Sequence, residues 1–214
     1  MAMRVKLLAP MIAVLGLQLA GFQPASAHSI KEFEDQLHKR EKFVEIVDRP
    51  APDFVLRDAE GLVVSFTRLR GKVVVLWFIY ASCSDVCPLQ SEELAAIQEQ
   101  INRTPMRDLV TFVAVTTDPE RDTPDVLSAY GPAHRLDPVN WMFLTSGPND
   151  PAATRALAEK YGLQFTQLED GYQMHGVVTH LIDKSGRLRA RYHGLKFDPT
   201  NFILHVNVLT NDDH

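Results

Sequence analysis

Two stretches of this chain are apolar at almost every position. Residues 73–80 and 109–115 are runs of β-branched, aliphatic and aromatic side chains, too short for typical helices and without alternation. A strand with that pattern is buried on both faces, as in the middle of a sheet covered by helices. Between them, residues 89–101 carry a helical pattern just after Pro88, which suits a first helical turn because its missing N–H costs nothing there. Further on, Thr123-Pro124 opens a helix reaching Tyr130, 141–144 reads as a short strand, and Asp150-Pro151 starts a helix that Gly162 closes. Strands 175–182 and 187–192 flank the turn Asp183-Lys184-Ser185-Gly186, and Asp198-Pro199 caps a last helix over 202–209.

Upstream, 54–56 and 62–66 form a hairpin through Asp58-Ala59-Glu60-Gly61. Before it, Ser29 and Glu32 have capping-box spacing. Apolar residues at Ile30, Phe33, Leu37, Val44 and Val47 predict one amphipathic helix, ended by Pro50-Ala51-Pro52. The order β–α–β–α, hairpin, helix is that of an α/β, thioredoxin-like domain: a central mixed sheet flanked by helices, with an N-terminal helical extension.

The first residues have a different character. Arg4 and Lys6 precede an apolar stretch, 7–20, and then Ala25-Ser26-Ala27, the layout of a cleavable secretory leader. The apolar stretch falls short of the roughly 18 to 20 residues that span a bilayer. The expected organisation is leader 1–27, helical extension 28–49 and thioredoxin-like domain 50–214, in the periplasm and without a membrane anchor once the leader is cut. Loss of Arg4 and Lys6 makes the formal charge of −5 two units more negative, which argues against nucleic acid and anionic membranes as partners.

The chain has two cysteines, Cys83 and Cys87, placed where the first buried strand gives way to the helix. Two thiols at that spacing can close a disulfide or hold a soft metal, and spacing does not separate the outcomes. A helix start lowers the pKa of a nearby thiol, so Cys87 is expected to deprotonate easily. A purely structural bridge is the bland alternative, and it would close a loop too short to stabilise the fold much.

Four motifs in order, Gly71-Lys72-Val73-Val74-Val75-Leu76, Cys83-Ser84-Asp85-Val86-Cys87-Pro88, Asp118-Pro119-Glu120-Arg121-Asp122-Thr123-Pro124 and Tyr172-Gln173-Met174-His175, resemble the Sco/SenC family. The resemblance runs from about Pro52 to Leu209. It implies a thioredoxin-fold copper chaperone that serves the dinuclear copper site of cytochrome c oxidase. Carried over residue by residue, it implies copper ligands Cys83, Cys87 and His175, with Asp118 as an acid near the metal. The partner would be an oxidase subunit or another copper or thiol protein. Two features depart from the family: Met174 stands where an acid usually precedes the histidine, and this chain is expected to be released whereas many members keep a membrane anchor.

The residues read by themselves agree with that assignment. Soft thiolates suit Cu(I), and an added imidazole also satisfies Cu(II). Disulfide oxidoreductases of this fold usually place a cis-proline at the strand entry facing the thiols, whereas this chain has no proline between Pro151 and Pro199 and offers Met174-His175 there. Met174 is expected to pack. His180 lies an odd number of positions from His175 and is expected to be structural. His193 and His205 carry no spacing signal, and His28 would bind metal only as a mature N-terminus. Asp118 reads equally well as a turn former or as a support for the metal, and Asp122, Thr123 and Pro124 read as helix capping. The main rival is a thiol–disulfide oxidoreductase using Cys83 and Cys87 as a reversible redox pair. A peroxidase fits poorly because Tyr80 stands where a proline is usual, and a zinc site has too few ligands.

Overall fold

The computed structural model describes residues 30–168 and 171–212. The leader, His28 and Ser29 lie outside the described residues. Among the described residues the strands and α-helices are, in chain order, α1 (Ile30–Arg40), β1 (Val44–Pro50), β2 (Val55–Arg57), β3 (Val63–Ser65), β4 (Val73–Ile79), α2 (Val86–Asn102), β5 (Val110–Thr116), α3 (Pro124–Ala133), β6 (Trp141–Leu144), α4 (Pro151–Lys160), β7 (Gln164–Leu168), β8 (Gly171–His175), β9 (Val178–Ile182), β10 (Arg187–His193) and α5 (Pro199–Thr210). Six strands make the main sheet in the order β1-β10-β9-β4-β5-β6. β4, β5 and β6 are parallel, while β9, β10 and β1 continue the sheet antiparallel.

The two apolar runs are the sheet's centre. Every residue of β4 and of β5 is buried. Because successive side chains point to opposite faces, β4 feeds two cores at once. Val73, Val75, Trp77 and Ile79 pack with Leu94 and Ile97 of α2, Leu127 of α3 and Phe202 and Val206 of α5. Val74, Leu76 and Phe78 pack with Leu56, Phe66, Leu157 and Tyr161 on the other side. The expected mixed sheet with helices on its faces is therefore what the chain forms.

Two elements differ from the sequence expectation. The single helix over 30–47 is a helix that stops at Arg40 followed by strand β1. His38, Lys39 and Arg40 sit in its last turn, where positive charge complements the helix dipole. The apolar spacing of Leu37, Val44 and Val47 coincides with a helical period, but Val44, Glu45 and Ile46 pair with Tyr192, Arg191 and Ala190. β1 is an edge strand, which tolerates Pro50 as its last residue because no neighbour needs that N–H. The sheet thus takes in residues assigned from sequence to the extension. The second difference is the hairpin β7–β8, unforeseen because Gln164, Thr166, Gln167 and Gln173 break any apolar alternation. Among the described residues, no helix is long and apolar enough to cross a membrane.

Candidate metal centre

The C-terminal end of β4 runs into a tight turn in which the Cys83 N–H donates to the Tyr80 carbonyl at 3.1 Å. The chain then enters α2 with Asp85 as N-cap, Cys87 as the second helical residue and Pro88 as the third. Asp85 makes no side-chain cap. The backbone amides of Asp85 and Cys87, at the open end of the helix, instead favour the ionised form of Cys83. Both cysteines are free thiols and buried, Cys83 at 8% and Cys87 at 2% exposure.

The two thiols perturb one another and are not equivalent. Burial pushes Cys83 up, but contacts from the Cys87 thiol, the Asp85 and Cys87 amides and the Tyr80 hydroxyl outweigh it, leaving its pKa below the ordinary value. Burial pushes Cys87 up, and the neighbouring Cys83 and the negative Asp122 push it further, against one contact from the Tyr80 backbone. The expectation that Cys87 is the easily ionised thiol is corrected: the helix amides converge on Cys83, and Cys87 lies deeper. Tyr80, pushed up to about 12 by its own burial and by Cys83, stays protonated and able to donate.

The acids divide their roles differently from the sequence reading. Asp118 forms a turn: its carbonyl accepts the Arg121 and Asp122 N–H groups, and its carboxylate pairs with Arg121. Asp122 does more than precede a helix. Its carboxylate accepts the Ala81 N–H at 3.2 and 3.1 Å and the Thr116 hydroxyl, tying the cysteine turn to the end of β5. Ser91 of α2 and Tyr130 of α3 share a hydrogen bond of 2.9 Å, and Tyr130 feels the field of both cysteines.

His175 ends β8, with Gln164 as its Cα partner, rather than opening the next strand. Its side chain lies outside the described residues. The backbone path is clear, however. β9 begins at Val178 and runs antiparallel to β4, with Thr179 opposite Trp77, so the chain after His175 reaches the sheet at the edge where the cysteine turn leaves it. Gln90 of α2 donates to the Thr179 hydroxyl at 3.1 Å, fastening the cysteine helix to that strand entry. Among the described residues no three His, Cys, Asp or Glu side chains gather as a metal cluster. The donor chemistry fits a soft ion: both sulfur donors belong to buried free thiols, and the Asp122 oxygens are occupied by backbone and hydroxyl donors.

The other positions behave as structure. Met174 packs against the second core. His180 is fully buried, with ring nitrogens 3.2 Å from the Leu76 and Tyr161 carbonyls. His205 lies between Tyr192 and Glu34, and His193 pairs with Glu45. Tyr80 and Asp122 are the residues sequence reasoning missed. Their signal was only position: one ends the buried run, the other belongs to the acidic motif after β5.

Comparison with known proteins places this arrangement. The SCO1/SenC family profile matches residues 46–210. The SCO2-like protein of Rickettsia prowazekii is 26% identical over 146 residues, covering 65% of this chain and 67% of that one. The solved structure of BsSco, a member of the Sco family of cytochrome c oxidase assembly proteins, superposes with a TM-score of 0.68 at 21% identity, over 78% of this chain and 96% of that one, and shows the shared fold. Bradyrhizobium japonicum ScoI, solved with copper bound, is 26% identical with a TM-score of 0.61, over 75% of this chain and 99% of that chain. With the match covering the sheet, the cysteine turn and the strand entry, this chain belongs to the SCO1/SenC family.

Proposed function

We propose that the protein is a periplasmic copper carrier, taking one copper ion between Cys83, Cys87 and His175. It delivers the ion to the dinuclear copper site of cytochrome c oxidase, or prepares the thiols of that site. The observation that carries this reading is the pair of buried, unbridged cysteines at the start of α2, beside the entry of the strand that follows His175. Copper is cargo here. Two thiolates match the monovalent ion, and His175 adds the harder nitrogen that the divalent ion needs. The copper-bound relative at 26% identity supports copper as the ion. Asp118 assists at one remove, its amide donating to the Thr116 hydroxyl that turns to Asp122.

Copper loading and the Cys83–Cys87 disulfide exclude one another, since the metal needs both thiolates. Free thiols counted on the oxidised, reduced and copper-loaded protein should give none, two and none, with reoxidation slowed by copper. His175→Ala should weaken Cu(II) binding more than Cu(I) binding. Full loading of protein whose cysteines remain bridged would disprove the thiolate site.

The asymmetry of the thiols favours a second activity at the same place. Cys83, as thiolate, is placed to attack a target disulfide and form a mixed disulfide, releasing one target sulfur as thiolate. Cys87 then loses its proton and displaces the second target sulfur, leaving a Cys83–Cys87 bridge and a reduced target. That activity would survive His175→Ala. The leader completes the proposal: intact mass of the exported protein should correspond to a chain beginning at His28, and a full-length species in the membrane fraction would contradict it.

A further inference from the structure

Asp122 is 2% exposed, yet it faces two donors. The Ala81 N–H reaches both of its oxygens, at 3.2 and 3.1 Å. The Thr116 hydroxyl also donates to it, while the Thr116 oxygen accepts the Asp118 N–H at 2.9 Å. Burial raises its pKa above the ordinary carboxylate value, while the Thr116 hydroxyl and the Ala81 N–H pull it back and favour the carboxylate form. Ala81 follows Tyr80 directly, and Tyr80 acts on both thiols, its hydroxyl lowering the pKa of Cys83 and its backbone that of Cys87. Its carbonyl also holds the Cys83 N–H. The clamp on Ala81 therefore sets the peptide that supports both thiols, and it brings a buried negative charge beside them.

We propose that Asp122 is a positioning residue of the metal centre, fixing the cysteine turn and biasing the site toward divalent over monovalent copper. This rests on the copper reading above. Two thiolates with Cu(I) carry one net negative charge, and with Cu(II) none. A buried carboxylate nearby repels the first more than the second, and low-dielectric surroundings strengthen the difference. Removing its charge should favour Cu(I), raising the copper reduction potential.

The test is the Cu(I) and Cu(II) affinity of the full reduced chain, measured anaerobically by chelator competition, for wild type, Asp122→Asn, Asp122→Glu and Thr116→Val. Asp122→Asn should shift the affinity ratio toward Cu(I) by about tenfold, equal to ~59 mV for this one-electron couple. Asp122→Glu keeps the charge and should restore most of the ratio. Thr116→Val removes a donor that partly neutralises the carboxylate, and should move the ratio the opposite way by about twofold. A folded Asp122→Asn protein with the wild-type ratio overturns the inference, as does equal weakening of both ions. If Asp122→Asn does not fold, Thr116→Val decides: an unchanged ratio overturns it. Wild type that binds neither ion through its cysteines instead overturns the copper reading itself.

Discussion

Replacing either cysteine by serine should lower Cu(I) affinity by more than about 100-fold, the upper loss found for groups that merely support a metal ligand. A hydroxyl is a hard, weakly acidic donor, and one remaining thiolate leaves Cu(I) without its second soft partner. The two variants should differ before any metal is added. In the reduced wild type, Cys83 is the more acidic thiol, favoured by the Asp85 and Cys87 amides, while Cys87 is buried and opposed by Asp122. Iodoacetamide should therefore label Cys83 first, and Cys83→Ser should abolish the fast phase while Cys87→Ser keeps it. The serine at position 87 still offers an O–H to Cys83, so the contact that favours the Cys83 thiolate persists in kind. Mass spectrometry of timed samples reads the order, and chelator competition reads the affinity. Equal copper loading by wild type and the doubly substituted protein would end the proposal of a thiolate site. Faster labelling of Cys87 would show that the helix start serves the other thiol.

How far the chain announces this site depends on the range of the interactions involved. The core strands were legible because β4 and β5 are buried on both faces, which only an uninterrupted apolar run satisfies. The turn Asp183–Gly186 was legible because its chemistry is local: Asp183 accepts the Ser185 hydroxyl and the Arg187 N–H, and Gly186 takes a positive φ. His180 was read as structural by alternation along a strand shared with His175; the two lie on different strands, and what makes His180 structural is its full burial between the Leu76 and Tyr161 carbonyls. β1 was misread because three apolar positions fit two periods, and pairing with β10, distant in sequence, chose between them. Asp122 was read as a capping residue because its hydrogen bond to Ala81 joins residues 41 apart, and no local pattern carries that information. The order of the two thiols was reversed for a similar reason. Proximity to a helix start was evident, but which sulfur meets the free amides depends on the path of the turn between Tyr80 and Asp85.

Acid should weaken this fold through buried histidines, and the effect should be readable one side chain at a time. His180 is pushed down from 6.5 to about 3, first by burial, even though two carbonyls face its ring. Neutral imidazole has one N–H, so only one of those carbonyls receives a proton. With the folded value depressed, the stabilisation is complete above the unfolded value and is lost as pH falls toward 3. Across that window the unfolded chain binds one extra proton, a slope of about 1.4 kcal/mol per pH unit. His205, also lowered by burial, adds to the loss. Glu34 adds a later loss, below the ordinary carboxylate range: burial raises its pKa, but His205 and the two-point contact with Arg189 lower it further. Glu93 works the other way. Burial alone raises it to about 7, so its protonation in the folded state relieves destabilisation as pH falls, reduced by its partial exposure. Urea unfolding of wild type and His180→Gln between pH 7 and 4 separates these contributions, because the difference between the two proteins isolates His180. That difference should shrink by about 1.4 kcal/mol per pH unit below 6.5. Glu93→Gln should steepen the wild-type decline, and Glu34→Gln should cost about 3 kcal/mol at pH 7 by leaving Arg189 without its buried partner. A His180→Gln difference that does not change with pH would show that the imidazole takes up its proton inside the fold as readily as outside it.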